Sequence, residues 1–150
     1  MPFSTPSQNI ETHSKENLLA LYREMLVIRR CEEQLVRSYQ AGLIPGACHT
    51  YIGEEAVAAG VCAALKNEDQ ITSTHRGHGH LLAKGGDFNR MMAELMGKAT
   101  GYCNGKGGSM HICDLDLAML GANGIVGAGV PIAVGAAFAN RLNGNGLISV

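Results

Sequence analysis

Residues 73–80 read S-T-H-R-G-H-G-H, which sets His75, His78 and His80 around Arg76 and two glycines. Such a stretch could hold a metal, relay protons or grip an anion. A metal site needs several imidazoles on one ion, usually with carboxylates or further histidines. This stretch contains no Asp or Glu. A permanent guanidinium in its middle is unfavourable beside a dication unless an anion lies between them. Anion binding needs Arg, His donors and backbone N–H groups at a helix start, and all three are present. A solvent-exposed His-rich turn is the plain alternative.

Three other segments contain candidate residues. T-G-Y-C-N-G-K-G-G-S-M-H (100–111) looks like a phosphate loop. A Walker A motif needs four residues between its glycines and Ser or Thr after Lys. Here Gly101 and Gly105 enclose three residues, and Gly107 follows Lys106. The segment is then either a flexible connection or a loop whose backbone passes close to a ligand or partner. L-G-A-N-G-I-V-G-A-G-V-P-I (120–132) is not the dinucleotide fingerprint, because Ile132 stands where the third small residue belongs. It is a glycine-rich entry to a helix, suited to tight packing or to a ligand. His49, in A-C-H-T-Y, reads on its own as structural, and Glu54 and Glu55 as helix-start charges.

These residues need elements to position them. Ser14 is a good N-cap, and apolar residues recur with helical period from Leu18 to Tyr39, so residues 15–41 are expected as a long amphipathic helix stopped at Gly42. A second helix is expected from Glu54 to about Leu65. Gln70 to Thr74 is short and β-branched and reads as a buried strand. LLAKGG reads as a short helix ending at Gly85-Gly86, and Asp87 caps another that ends near Gly97. Residues 98–123 read as irregular. Pro131 is tolerated only near a helix N-terminus, so a helix is expected from about Val130 to Leu142, and its small residues suggest that it is buried. Leu147 to Val150 reads as the start of a strand. This order predicts an α/β fold with a parallel sheet flanked by helices, incomplete at the C-terminus. A strand ending in a glycine-bearing turn that opens a helix is also where open α/β sheets place ligands. Position therefore favours an anion site at His75-Arg76.

The chain has 150 residues, 46% hydrophobic and 17% charged, enough to build a core. A net charge of −1 without a basic stripe gives no support for general attraction to nucleic acid or membrane. The five cysteines have no C-x-x-C spacing, which argues against a disulfide framework or a Cys-based zinc site and favours a reducing compartment. Residues 1–13 read as a disordered lead-in without a signal peptide's apolar stretch. No apolar run reaches spanning length, so the expected location is cytoplasmic.

Taken together, IPGACHTYIGEEAVAAGV, TSTHRGHGHLLAKG, MMAELMGK, GKGGSMH and GANGIVGAGVPIAVGAA resemble the alpha subunit of thiamine-diphosphate-dependent 2-oxo acid dehydrogenases. The resemblance runs from about Ser14 to Val150. THRGHGH, GGSMHI and LGANGIVG resemble the acetoin type in particular. Pyruvate and branched-chain members usually carry tyrosine where His75 stands. The resemblance implies the thiamine-diphosphate-binding fold, with residues 14–150 as its N-terminal portion. It implies an α2β2 heterotetramer with a beta subunit and cofactor at the interface. It also implies a lipoyl acyltransferase partner and a small 2-oxo acid or acetoin as substrate.

His49, His75 and Arg76 fall on positions the family uses at the diphosphate, and Gly124 and Val126 on backbone positions that bond the aminopyrimidine. His78 is a possible catalytic residue facing the diphosphate or the substrate channel, and the role of His80 stays open. The family's Mg²⁺ ligands, a Gly-Asp-Gly motif and a later Asn, are expected beyond residue 150. The 150 residues alone are therefore expected to be inactive. Two other readings remain: a metal-dependent hydrolase using His75, His78 and His80, and a non-catalytic fragment of a larger assembly.

Overall fold

The computed structural model describes residues 13–150. The lead-in expected over 1–13 therefore lies outside the described residues, except for His13. Helix α1 spans Lys15–Gln40. Ser14 caps it, its side chain accepting the Asn17 N–H at 3.2 Å. Gly42, with φ +73°, turns the chain out of the helix, while the Leu43 N–H reaches back to the Ser38 carbonyl at 3.0 Å. The face that α1 buries is Ile28, Cys31, Glu32, Leu35 and Ser38. Its period is helical, but it includes a carboxylate and a hydroxyl, which an apolar stripe would exclude. Leu18, Leu19 and Tyr22 in the first turns stay exposed, because no described element covers them.

Helix α2, Glu55–Ala63, packs against α1. Their junction is an ion pair in which Arg29 Nε donates to Glu55 Oε1 at 2.5 Å. The Gly53 N–H adds bonds to both Glu55 oxygens at 3.1 Å. Strand β1, Ile71–Ser73, follows, then α3, His78–Ala83, and α4, Phe88–Leu95. Asp87 caps α4 as expected, accepting the Arg90 N–H at 2.8 Å. Helix α3 starts at His78, three residues before the expected LLAKGG, so His78 and His80 are helical residues.

Residues 98–123 are not wholly irregular. They hold a single 3-10 turn, Gly108–Met110, and a second strand, β2, Met119–Ala122. Strand β2 pairs parallel with β1, in register Ile71↔Met119, Thr72↔Gly121 and Ser73↔Ala122 with one irregularity after Ile71. On the other edge of β1 the expected strand start appears: the Gln70 N–H bonds the Ile148 carbonyl at 2.8 Å and the Thr72 N–H bonds Val150 at 2.7 Å. The described chain is thus an α/β arrangement around a small parallel sheet. Its core joins Ile28 and Leu35 of α1, Leu81 of α3, Met91 and Leu95 of α4, Tyr51, Ile112 and Met119. No described helix is long and apolar enough to cross a membrane.

Helix α5, Gly129–Asn143, corrects one expectation. Its small residues do allow close approach, since a Cβ on Gly129 would lie 3.0 Å from Thr72 Oγ1. Yet only Asn140 is buried, bonded to Gln70 and Ser149. Val130, Val134, Phe138 and Leu142 recur every four residues as an exposed stripe. The helix touches β1 through its small residues, and no described residue covers the large ones.

The Arg29 bond, with help from the Gly53 N–H, holds the buried Glu55 carboxyl down at about 2, against the opposing effect of burial. A depressed folded pKa stabilises above the ordinary carboxylate range and is lost as pH falls through the folded value. Glu55 should thus contribute stability at neutral pH that fades between about pH 4.5 and pH 2, reduced by solvent screening of the half-exposed Arg29. Urea denaturation of the full-length protein across that range should show a steeper acid loss for wild type than for Glu55→Gln. Equal slopes would contradict the assignment.

Candidate functional site

Strands β1 and β2 run parallel, so their carboxyl ends lie side by side at Ser73 and Ala122. Two residues past those ends stand His75 and Gly124. The sequence-predicted residues therefore leave the sheet at one edge, where α/β sheets place ligands. A cavity of about 410 Å³ opens there, lined by Thr72, Ser73, Thr74, His80, Ile125 and Val130 among others.

The turn from β1 into α3 is tightly packed. A Cβ on Gly77 would come within 2.7 Å of Ala122 Cβ, and one on Gly79 would enter the Tyr51 ring. The glycines of HRGHGH thus let α3 start against β2 and Tyr51, and they turn the three histidines apart. His78 is wholly buried. Its Nδ1 lies 2.9 Å from Glu32 Oε1, and its Nε2 lies 3.1 Å from the Ser109 carbonyl and 3.0 Å from Ser109 Oγ. A carbonyl only accepts, so Nε2 carries a hydrogen. Glu32 Oε2 also accepts the Tyr51 N–H at 3.0 Å, so both carboxyl oxygens are tied into the same cluster. The Ser109–His78–Glu32 chain has the residue types of a nucleophile relay, but Ser109 and His78 are buried. Both ring nitrogens of His78 have protein partners and the side chain has no exposed surface. In this chain it is enclosed between Glu32 and Ser109.

His80 goes elsewhere. Its Nε2 meets Tyr51 Oη at 3.0 Å and its Nδ1 meets Ser73 Oγ at 2.6 Å. Burial lowers the His80 pKa and pushes the Tyr51 phenol up to about 12; His80 and Ser73 line the cavity, and the buried Tyr51 holds His80 by its hydroxyl. The three histidines do not converge. Among the described residues no group of three or more His, Cys, Asp or Glu is arranged to hold a metal. The hydrolase reading has no site to rest on, because each imidazole is turned to a different partner.

His49, His75 and Arg76 do come together. The rings of His49 and His75 meet edge to face with centroids 4.9 Å apart. The Arg76 guanidinium donates to the carbonyl of Thr50, next to His49, and its Nε lies 3.9 Å from Glu54 Oε1. The His49 N–H points at Ser109 Oγ, 3.4 Å away, which connects this cradle to the buried cluster around His78. Among the described residues, His75 Nδ1 is the one buried side-chain nitrogen or oxygen without a hydrogen-bond partner. A buried polar atom left unpaired costs about 1–3 kcal/mol, so this nitrogen needs a hydrogen-bonding atom from outside the described side chains. Gly124 and Val126 sit in the exposed loop after β2, where the Gly124 backbone packs beside the His111 ring.

The residues that hold this cradle, Glu32, Tyr51 and Ser109, were not singled out from sequence. A signal exists for Glu32, a carboxylate one helical turn from both Ile28 and Leu35 on the stripe that α1 buries.

The chain matches the sequence profile of the dehydrogenase E1 component over residues 23–150. It is 55% identical over 137 residues to the alpha subunit of acetoin:2,6-dichlorophenolindophenol oxidoreductase from Bacillus subtilis, covering 91% of this chain and 41% of that one. The corresponding Cupriavidus necator subunit is 53% identical over 136 residues, with the same coverage. The pyruvate dehydrogenase E1 component subunit alpha of Rhizobium meliloti is 49% identical over 141 residues, covering 94% of this chain and 40% of that one. The chain thus spans about two fifths of the length of these relatives.

The Glu32–His78 pair has a measurable signature. Removing one partner of a buried hydrogen-bonded pair leaves the other unsatisfied and costs about 1–3 kcal/mol. Glu32→Ala and His78→Ala in the full-length protein should each lower the urea unfolding free energy by that amount. The double variant should lose clearly less than the sum. Simple additivity would contradict the coupling.

Proposed function

The chain belongs to the dehydrogenase E1 component family, and from that premise we propose that it supplies the diphosphate-binding part of a thiamine-diphosphate-dependent dehydrogenase alpha subunit. The observation that carries this reading is the unpartnered His75 Nδ1, set beside His49 and next to Arg76. A diphosphate offers several charged acceptor oxygens. A guanidinium is the best planar donor for them, and the two imidazoles add directional bonds. Most of the Arg76 N–H groups remain available after the Thr50 bond.

In this reading His75, Arg76 and His49 hold the diphosphate, and the backbone of Gly124 and Val126 orients the aminopyrimidine. Residues 14–150 form the N-terminal portion of the thiamine-diphosphate-binding domain. The Mg²⁺ that accompanies the diphosphate is held by residues outside these 150. When bound, the cofactor supplies the carbanion chemistry that breaks the bond beside a carbonyl, and the chain's part is to bind and orient it. Glu32, His78 and Ser109 keep the cradle in place from behind.

The whole protein would decarboxylate a 2-oxo acid or cleave acetoin, paired with a beta subunit in an α2β2 assembly. It would pass the acyl unit to a lipoyl acyltransferase. The acetoin-type substrate is favoured, because two relatives of that name are 55% and 53% identical against 49% for the pyruvate enzyme, and because histidine stands at position 75.

Arg76→Ala removes charge-assisted bonds worth about 1.5–3 kcal/mol. In the full-length protein with its partner subunit, the dissociation constant of thiamine diphosphate should rise roughly 10- to 100-fold by calorimetric titration. Turnover at saturating cofactor should change much less. Unchanged affinity would sink the assignment.

A further inference from the structure

Residues 101–108 look like a phosphate loop with the wrong spacing. Their converging N–H groups do hold an anion, and it belongs to the chain itself. Glu94, in the last turn of α4, is wholly buried. Its Oε2 accepts the N–H groups of Cys103 at 2.7 Å and Gly105 at 2.9 Å. Its Oε1 accepts those of Gly107 at 2.7 Å and Gly108 at 3.0 Å. Burial alone would push this carboxyl up, yet the backbone donors outweigh it and hold the pKa below the ordinary value.

The glycines follow from this wrapping. Gly101 lies so close to Glu94 that a Cβ would collide with it. A Cβ on Gly105 would fall 2.5 Å from the Gly97 backbone, and one on Gly107 would fall 2.6 Å from the His111 carbonyl. Directly after the loop come Ser109, which meets His78 and the His49 N–H, and His111, which lies beside Gly124. A loop held at residues 103–108 therefore sets the residues that back both parts of the cradle.

We propose that Glu94 is the built-in ligand of an anion-binding loop and acts as a positioning residue for the cofactor cradle. Removing its side chain leaves N–H groups converging on a carboxylate-sized space that a small carboxylate can refill. The cofactor half of this inference rests on the function proposed above; the anion loop does not.

The test uses Glu94→Ala in the full-length protein, with sodium acetate as the probe and sodium chloride and acetamide as controls. The thermal midpoint should fall by several degrees, and acetate should restore at least half of that loss in the variant. On wild type, acetate should act no differently from chloride. Thiamine diphosphate should bind at least about tenfold more weakly to the variant and recover with acetate. If acetate acts equally on both proteins, the anion loop is overturned. A lowered midpoint with unchanged cofactor affinity overturns the positioning role. If wild type itself binds no thiamine diphosphate, the proposed function fails, while the midpoints still decide the loop. Should Glu94→Ala not fold, Glu94→Gln keeps the volume and turns an amide donor on two N–H groups. Hydrogen exchange at residues 103, 105, 107 and 108 should then quicken by about a hundredfold, and unchanged exchange would overturn the proposal.

Discussion

A carboxylate in the buried face of a helix must find partners, and much of this structure depends on how Glu32 finds them. Leaving its oxygens unpaired in the core costs about 1–3 kcal/mol each, so the fold must bring partners to it. One donor is the Tyr51 N–H, which fixes the loop between α1 and α2. The other is His78, which fixes the start of α3 and, through its second nitrogen, Ser109. Elements far apart in sequence are drawn to one point, and the His49–His75–Arg76 cradle lies on the outside of that point.

The same device recurs. Glu55 gathers Arg29 and the Gly53 N–H at the start of α2. Glu94 gathers the glycine-rich loop. Asp69, also buried, accepts the Lys66 N–H at 2.8 Å and the Ile148 N–H at 2.9 Å, and so ties the turn before β1 to the last strand. Loops lack the ladder bonds that place strands and helices, and buried carboxylates give their N–H groups somewhere to point. Glu32 and Glu55 find side-chain and backbone partners and Glu94 and Asp69 backbone ones, while Arg76 and the His49 and His75 rings are partly exposed beside them.

How much of this was legible in the sequence depended on range. Helix α1 with its Ser14 cap and Gly42 stop, the Asp87 cap, and β1 were readable because their determinants are local. Strand β2 was not, since M-L-G-A has no β-branched residue and a glycine in its middle, and only pairing with β1 makes it a strand. The composition of α5 suggested burial, but its large residues have no cover among the described residues. In HRGHGH, the lack of carboxylates and the strand-end position point to an anion site; the structure sets His75 and Arg76 beside His49, which the family resemblance alone had named. The work of His78 and His80 could not be read, because their partners Glu32 and Tyr51 lie 46 and 29 residues away. The loop at 101–108 fails as a phosphate loop in sequence and reads as a flexible connection or a close backbone approach to a ligand; that its N–H groups converge on Glu94 could not be read, because the partner lies on another element.

In the function proposed above, His75, Arg76 and His49 form the seat of a diphosphate. A crystal structure of the full-length protein with its partner subunit, grown with thiamine diphosphate, tests it directly. The account predicts diphosphate oxygens within hydrogen-bond distance of His75 Nδ1 and the Arg76 guanidinium, with His78 still enclosed between Glu32 and Ser109. A diphosphate bound elsewhere, with His75 Nδ1 still unpartnered, would contradict it.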